Sequence, residues 1–88
     1  MTDRENRDAA LFALYLAHYR PMLELATLLV RRPATAEQVV QDAFTGLWAA
    51  WPRLPDDDGE RLSYLRTCVE NRARSVLRHC RDEAQPGG

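Results

Sequence analysis

The chain has 88 residues, 45% hydrophobic and 28% charged, which allows one small domain with one core and argues against a disordered chain or a second module. Twelve arginines and no lysine stand against thirteen acids for a net charge of −1, but the balance is uneven along the chain. Residues 1–60 carry −4, residues 61–81 carry +5 through six arginines against Glu70, and the tail carries −2. Basic charge gathered in one segment is compatible with a polyanion partner.

Cys68 and Cys80 lie twelve residues apart in one predicted helix, about 18 Å at 1.5 Å per residue and beyond disulfide reach. They form no C-x-x-C pair, and His18 and His79 complete no metal-ligand spacing. Buried thiols are expected, with Cys80 more open near the helix end, and neither a metal nor another cofactor. The charged start MTDRENRD is not a signal peptide, and no apolar run approaches a membrane span. A reduced, cytoplasmic protein without membrane insertion is the expectation.

In chain order, residues 1–7 are polar and expected to fray. From Asp8 to about Arg31 the apolar residues Leu11, Phe12, Tyr15, Leu16, Tyr19, Met22, Leu23, Ala26, Leu29 and Val30 recur at helical spacing. Pro21 sits among them and predicts a kink, or two helices meeting near His18–Arg20. Arg31 and Arg32 fall in the expected last turn, where positive charge suits the helix dipole. Pro33-Ala34 then makes a corner.

The next helix, Thr35–Trp51, opens on Thr35 and Gln38 in capping-box spacing and closes at Trp51-Pro52. Ala36, Val40, Ala43, Phe44, Leu47 and Trp51 form its apolar stripe. The opposite face holds Gln38, Gln41, Asp42, Thr45 and Ala49, with Trp48 on its shoulder: one carboxylate where a solvated face usually carries several charges. Spacing alone fits a docking surface and an ordinary exposed face equally.

The loop PRLPDDDGE follows, with Asp57 or Asp58 as the natural N-cap of a last helix from about Glu60 to Arg81. Leu62, Leu65, Val69, Ala73, Val76 and Cys80 make its buried stripe, with Cys68 and Leu77 flanking. Arg66, Arg74, Arg78 and Arg81 share the other face with Ser63, Thr67 and Glu70. The expected fold is all-α, a compact bundle of three helices, or four if Pro21 splits the first. The domain is expected to span 1–81, with 82–88 a linker or truncated tail.

Catalysis finds no support: there is no phosphate loop, no nucleophile–base pair and no metal cluster, so an enzyme is not expected. Asp56-Asp57-Asp58 lacks the spaced ligands and distal Glu of a calcium loop and reads as a solvated cap. His18, beside Tyr19, reads as a packing residue. The arginine face of the last helix could track phosphates, with Asn71 able to meet a base edge and Trp48, Trp51 and Tyr64 available for stacking. A solvated basic face fits the same pattern.

LYLAHYRPMLELATLLVRRPATAEQVVQDAFTGLWAAWPRL followed by SYLRTCVENRARSVLRHCR resembles region 2 of the sigma-70 family, more narrowly its extracytoplasmic-function (ECF) group. The selective part is AEQVVQDAFTGLW, similar to the family's A-E-D-V-V-Q-E-x-F-x-x-L-W. The resemblance covers about residues 10–81 and implies a bacterial transcription initiation factor. It implies that Gln38, Gln41, Asp42, Thr45 and Trp48 dock on the clamp helices of the RNA polymerase β′ subunit. It further implies that the 52–60 loop and last helix recognise and open the promoter's minus-ten element through Arg53, Arg61, Tyr64, Arg66, Asn71, Arg74 and Arg78. Glu70 departs from the basic residue many members carry there, and the loop is acidic and poor in aromatics. Family members are commonly held by anti-sigma proteins, so the alternative is a protein-binding module that engages such a regulator without binding DNA. Full members continue to a helix-turn-helix domain, so an excised domain is expected.

Overall fold

The computed structural model describes the backbone over residues 3–84 and side chains over residues 4–79. It contains α1 (Asp3–Val30), α2 (Pro33–Ala50) and α3 (Asp58–Ala84), with a 3-10 turn at Trp51–Arg53 closing α2. The fold is all-α. Among the described residues there is no fourth α-helix: α1 begins at Asp3 and runs unbroken through Pro21. Pro21 and Ala17, whose carbonyl loses its partner to the proline ring, are both exposed. Water can satisfy that oxygen while Met22, Ala26 and Val30 anchor the following turns in the core.

A two-residue corner joins α1 to α2. Arg31 takes a φ of 61°, and its N–H donates to the Thr27 carbonyl at 2.8 Å, the left-handed single-bond stop of a helix. Contrary to expectation, Arg31 and Arg32 thus lie outside the last turn of α1, which holds no basic residue. Arg32 is the extended N-cap of α2, and Pro33 takes the first helical position, where its missing N–H is no loss. The capping box does not form. Proline's preset φ starts the helix two residues early, placing Thr35 inside the first turn, and Ala36 N–H donates to Arg32 O.

At the start of α3 the expected cap is present: Asp57 Oδ2 accepts the Glu60 N–H at 3.0 Å. This helix starts two residues before Glu60 and ends at Ala84, so residues 82–84 of the expected tail are helical. Residues 85–88 lie outside the described residues, as do the side chains of Cys80 and Arg81.

Each helix packs on the other two. Arg7 against Trp48 and Tyr15 against Phe44 set α1 antiparallel to α2, while Asp42–Arg72 and Gly46 beside Cys68 set α3 antiparallel to α2. The core unites Leu14, Met22, Ala26 and Val30 with Val39, Val40, Ala43, Phe44 and Leu47, and with Leu65, Val69 and Ala73. Full burial of such aliphatic or aromatic side chains stabilises a fold by roughly 1.5–3 kcal/mol each. The whole apolar stripe expected for α2 is buried, Trp51 included. Its polar face is left outward.

Candidate functional site

Gln38, Gln41 and Thr45 are exposed on the outer face of α2, and Asp42 and Trp48 are half-buried at its edges. Helical spacing brings all five together, and each is also tied down. Gln38 Nε2 donates to Asp42 Oδ1 at 3.1 Å, and Thr45 Oγ1 donates to the Gln41 carbonyl at 3.0 Å. Gln41 Nε2 donates to Tyr15 Oη on α1 at 3.3 Å. From α3, Arg72 Nε donates to Asp42 Oδ2 at 3.1 Å. The Arg7 guanidinium stacks over the Trp48 ring, 4.5 Å from its centroid. Such cation–π contacts contribute about 0.5–1 kcal/mol at exposed sites.

An apolar groove borders this face on the α1 side, lined by Leu11, Phe12, Tyr15 and Trp48 with Asp8 and Gln41 at its rim. Phe12 is 62% exposed and Leu16 66%. The face is therefore polar in the middle, apolar on one flank and cationic at both edges. That composition suits a protein partner better than bulk water.

Of the residues expected to meet nucleic acid, Arg61 and Tyr64 are half-buried and the others are exposed. Arg53 is exposed on the 3-10 turn. Arg61 is held inward, its side chain 12% exposed: Nη2 lies 3.0 Å from Asp56 Oδ1, Nη1 lies 3.4 Å from Asp58 Oδ1, and its carbon sits 4.2 Å from the Trp51 ring centroid. One guanidinium thus staples the loop to the end of α2. Its Nε is buried with no hydrogen-bond partner. Tyr64 is half-buried and hydrogen-bonded to Cys68, whose thiol is pushed up from its ordinary pKa by burial while that hydrogen bond pulls the other way.

Arg66, Asn71, Arg74 and Arg78 are exposed along α3. Arg74 and Glu70 share a groove with Leu29, Ala73 and Leu77 on the α1 side. Asn71 instead lines a groove with Asp42, Ala43, Cys68, Arg72 and Ser75 on the α2 side. Arg74 and Asn71 therefore border different grooves, with the exposed ridge of α3 between them.

Four residues that sequence reasoning passed over belong to these surfaces: Arg7, Phe12, Leu16 and Arg72. Arg72 had a signal, since it falls seven residues after buried Leu65, where a charge must reach sideways from the core edge. Phe12 and Leu16, an i,i+4 pair within the apolar spacing of α1, are exposed. Among the described residues no group of three or more His, Cys, Asp or Glu could hold a metal ion, and no helix is long and apolar enough to cross a membrane.

No characterised protein and no solved structure matches the chain. A family profile does: sigma-70 region 2, over residues 14–84.

Proposed function

Since the chain belongs to the sigma-70 region 2 family, whose members act in transcription initiation, we propose that it docks on core RNA polymerase through α2 and engages the promoter minus-ten element through α3. On this reading it is a regulatory factor of the ECF type, not an enzyme, and works in the cytoplasm with polymerase. Gln38, Gln41, Asp42, Thr45 and Trp48 meet the β′ clamp helices. Arg53, Arg66, Asn71, Arg74 and Arg78 meet the non-template strand, with Tyr64 near the unstacked base and Arg61 holding the loop beside it. Flipping a base costs a few kcal/mol, offset by a pocket and by phosphate contacts.

The observation that carries this reading is the outer face of α2: five residues on one side of the helix, Gln38 and Gln41 beside Asp42, and an apolar groove on the flank. Asp42→Arg should abolish association with core polymerase while leaving the far-ultraviolet circular dichroism unchanged; normal association would remove the docking assignment. Arg74→Ala and Arg78→Ala should each weaken binding of a single-stranded minus-ten oligonucleotide and lower the slope of its salt dependence by about one.

The loop favours a second reading. Arg61 is engaged by Asp56 and Asp58, and exposed Phe12 and Leu16 suit a protein partner. A module held by an anti-sigma regulator, with no DNA binding of its own, would bind protein yet ignore the oligonucleotide at low salt.

A further inference from the structure

Asp42 is the carboxylate at the α3 edge of the outer face of α2, where Glu37 is also exposed, and both Asp42 oxygens are engaged sideways. Gln38, one turn earlier, donates to Oδ1, and Arg72, on another helix, donates to Oδ2, each at 3.1 Å. The pair stays open to water, the Asp42 side chain 33% exposed and Arg72 53%. An ion pair this open adds little to folding stability. The α2–α3 contact beside it is already closed by Val39, Ala43, Leu65, Val69 and Ala73.

What the pair controls is direction. A free aspartate side chain samples several staggered rotamers. Held by donors from two helices, this carboxylate keeps one orientation, with lone pairs left for a further donor and the side chain partly open to water. Arg72 engages it through Nε, which leaves the two terminal nitrogens for other acceptors.

We propose that Arg72 is a positioning residue of the polymerase-docking face: it fixes Asp42 for a cationic group on the partner, although it belongs to the helix whose other arginines are assigned to DNA. This rests on the docking reading above. The partner surface that fits is a segment of mixed charge, with a base to meet Asp42 and an acid to meet Arg72.

The test uses the 88-residue chain and core polymerase, with affinities measured for wild type, Asp42→Asn, Arg72→Ala, Arg72→Lys and the Asp42→Asn/Arg72→Ala double variant. Asp42→Asn should weaken docking, and Arg72→Ala should weaken it on the order of tenfold, the scale of coupling between contacting groups. In the Asp42→Asn background Arg72→Ala should cost nothing further. Lysine should restore part of the loss, because it supplies charge without the planar fork. Binding of a single-stranded minus-ten oligonucleotide should not change with Arg72→Ala. If Asp42→Asn impairs docking but Arg72→Ala does not, the positioning role is wrong and the docking face stands. If Asp42→Asn docks normally, the docking reading itself fails. Additive losses in the double variant would make Arg72 a direct partner contact, and a drop in oligonucleotide binding would make it a DNA contact; either overturns the proposal.

Discussion

Arg31 stops α1 with a backbone conformation that glycine normally supplies. An L side chain at positive φ costs about 1 kcal/mol or slightly more. Arg31→Gly should therefore raise stability by about 1 kcal/mol, less a fraction for the extra freedom of the unfolded chain. In a domain this small that is a rise of several degrees in melting temperature (about 4–8 °C per kcal/mol), read by thermal denaturation. A lower melting temperature would mean the Arg31 side chain stabilises the corner in some other way. Cys68 shows a second residue-scale effect. Burial favours its neutral thiol, so its folded pKa lies above the unfolded value. The stability this gives is complete at neutral pH and is lost as pH climbs through the alkaline range towards the folded pKa. In a Cys80→Ser variant, alkylation of Cys68 should lag a free cysteine at pH 8 and reach half its maximal rate at a higher pH; equal rates and midpoints would show the thiol to be open.

At the scale of the helices, α2 carries the heaviest demand, since it faces a partner on one side and the core on the other. Its periodicity was legible for that reason: Ala36, Val40, Ala43, Phe44 and Leu47 can be buried together in one way only. Its start was not legible, because Pro33 and Thr35 both mark a helix N-terminus and proline's geometry prevails without any side-chain bond. Gly46, in mid-helix, faces α3, but a Cβ there would lie 3.8 Å from Cys68 Sγ, an ordinary contact. Close approach does not require the glycine. Gly46→Ala should accordingly stabilise the protein by about 0.5–1 kcal/mol through helix propensity, measured by denaturant titration. Destabilisation would show that α2 and α3 approach each other at Gly46 more closely than an ordinary contact allows.

For the molecule as a whole, three helices share one core, and α2 supplies six of the side chains in it that are at most 6% exposed: Ala36, Val39, Val40, Ala43, Phe44 and Leu47. Leu47 is fully enclosed. Leu47→Ala should cost about 2–5 kcal/mol, a large part of the 5–15 kcal/mol that holds a typical small protein folded. Loss of helicity near body temperature in that variant, with wild type intact, is the expected result. The all-α architecture and the polar face of α2 could be read from spacing, since both are local. Arg72 against Asp42, Arg61 against Trp51 and the exposure of Phe12 depend on which helix faces which, and local periodicity does not encode that. Of the two outcomes Pro21 allowed, a split into two helices does not occur, and the carbonyl it orphans lies on an exposed side of α1.

Both tryptophans of the chain lie beneath a guanidinium, Trp48 under Arg7 and Trp51 under Arg61. Trp48 borders the outer face of α2, and Trp51 is the buried floor under the loop. Indole emission depends on what covers the ring, so the molecule contains two optical reporters, one for each surface. A partner that displaces Arg7 should alter the Trp48 signal alone, and a strand that draws Arg61 away from Asp56 and Asp58 should alter that of Trp51. With Trp48→Phe and Trp51→Phe variants to separate the two signals, intrinsic fluorescence would follow docking and loop opening as separate events, without any added label.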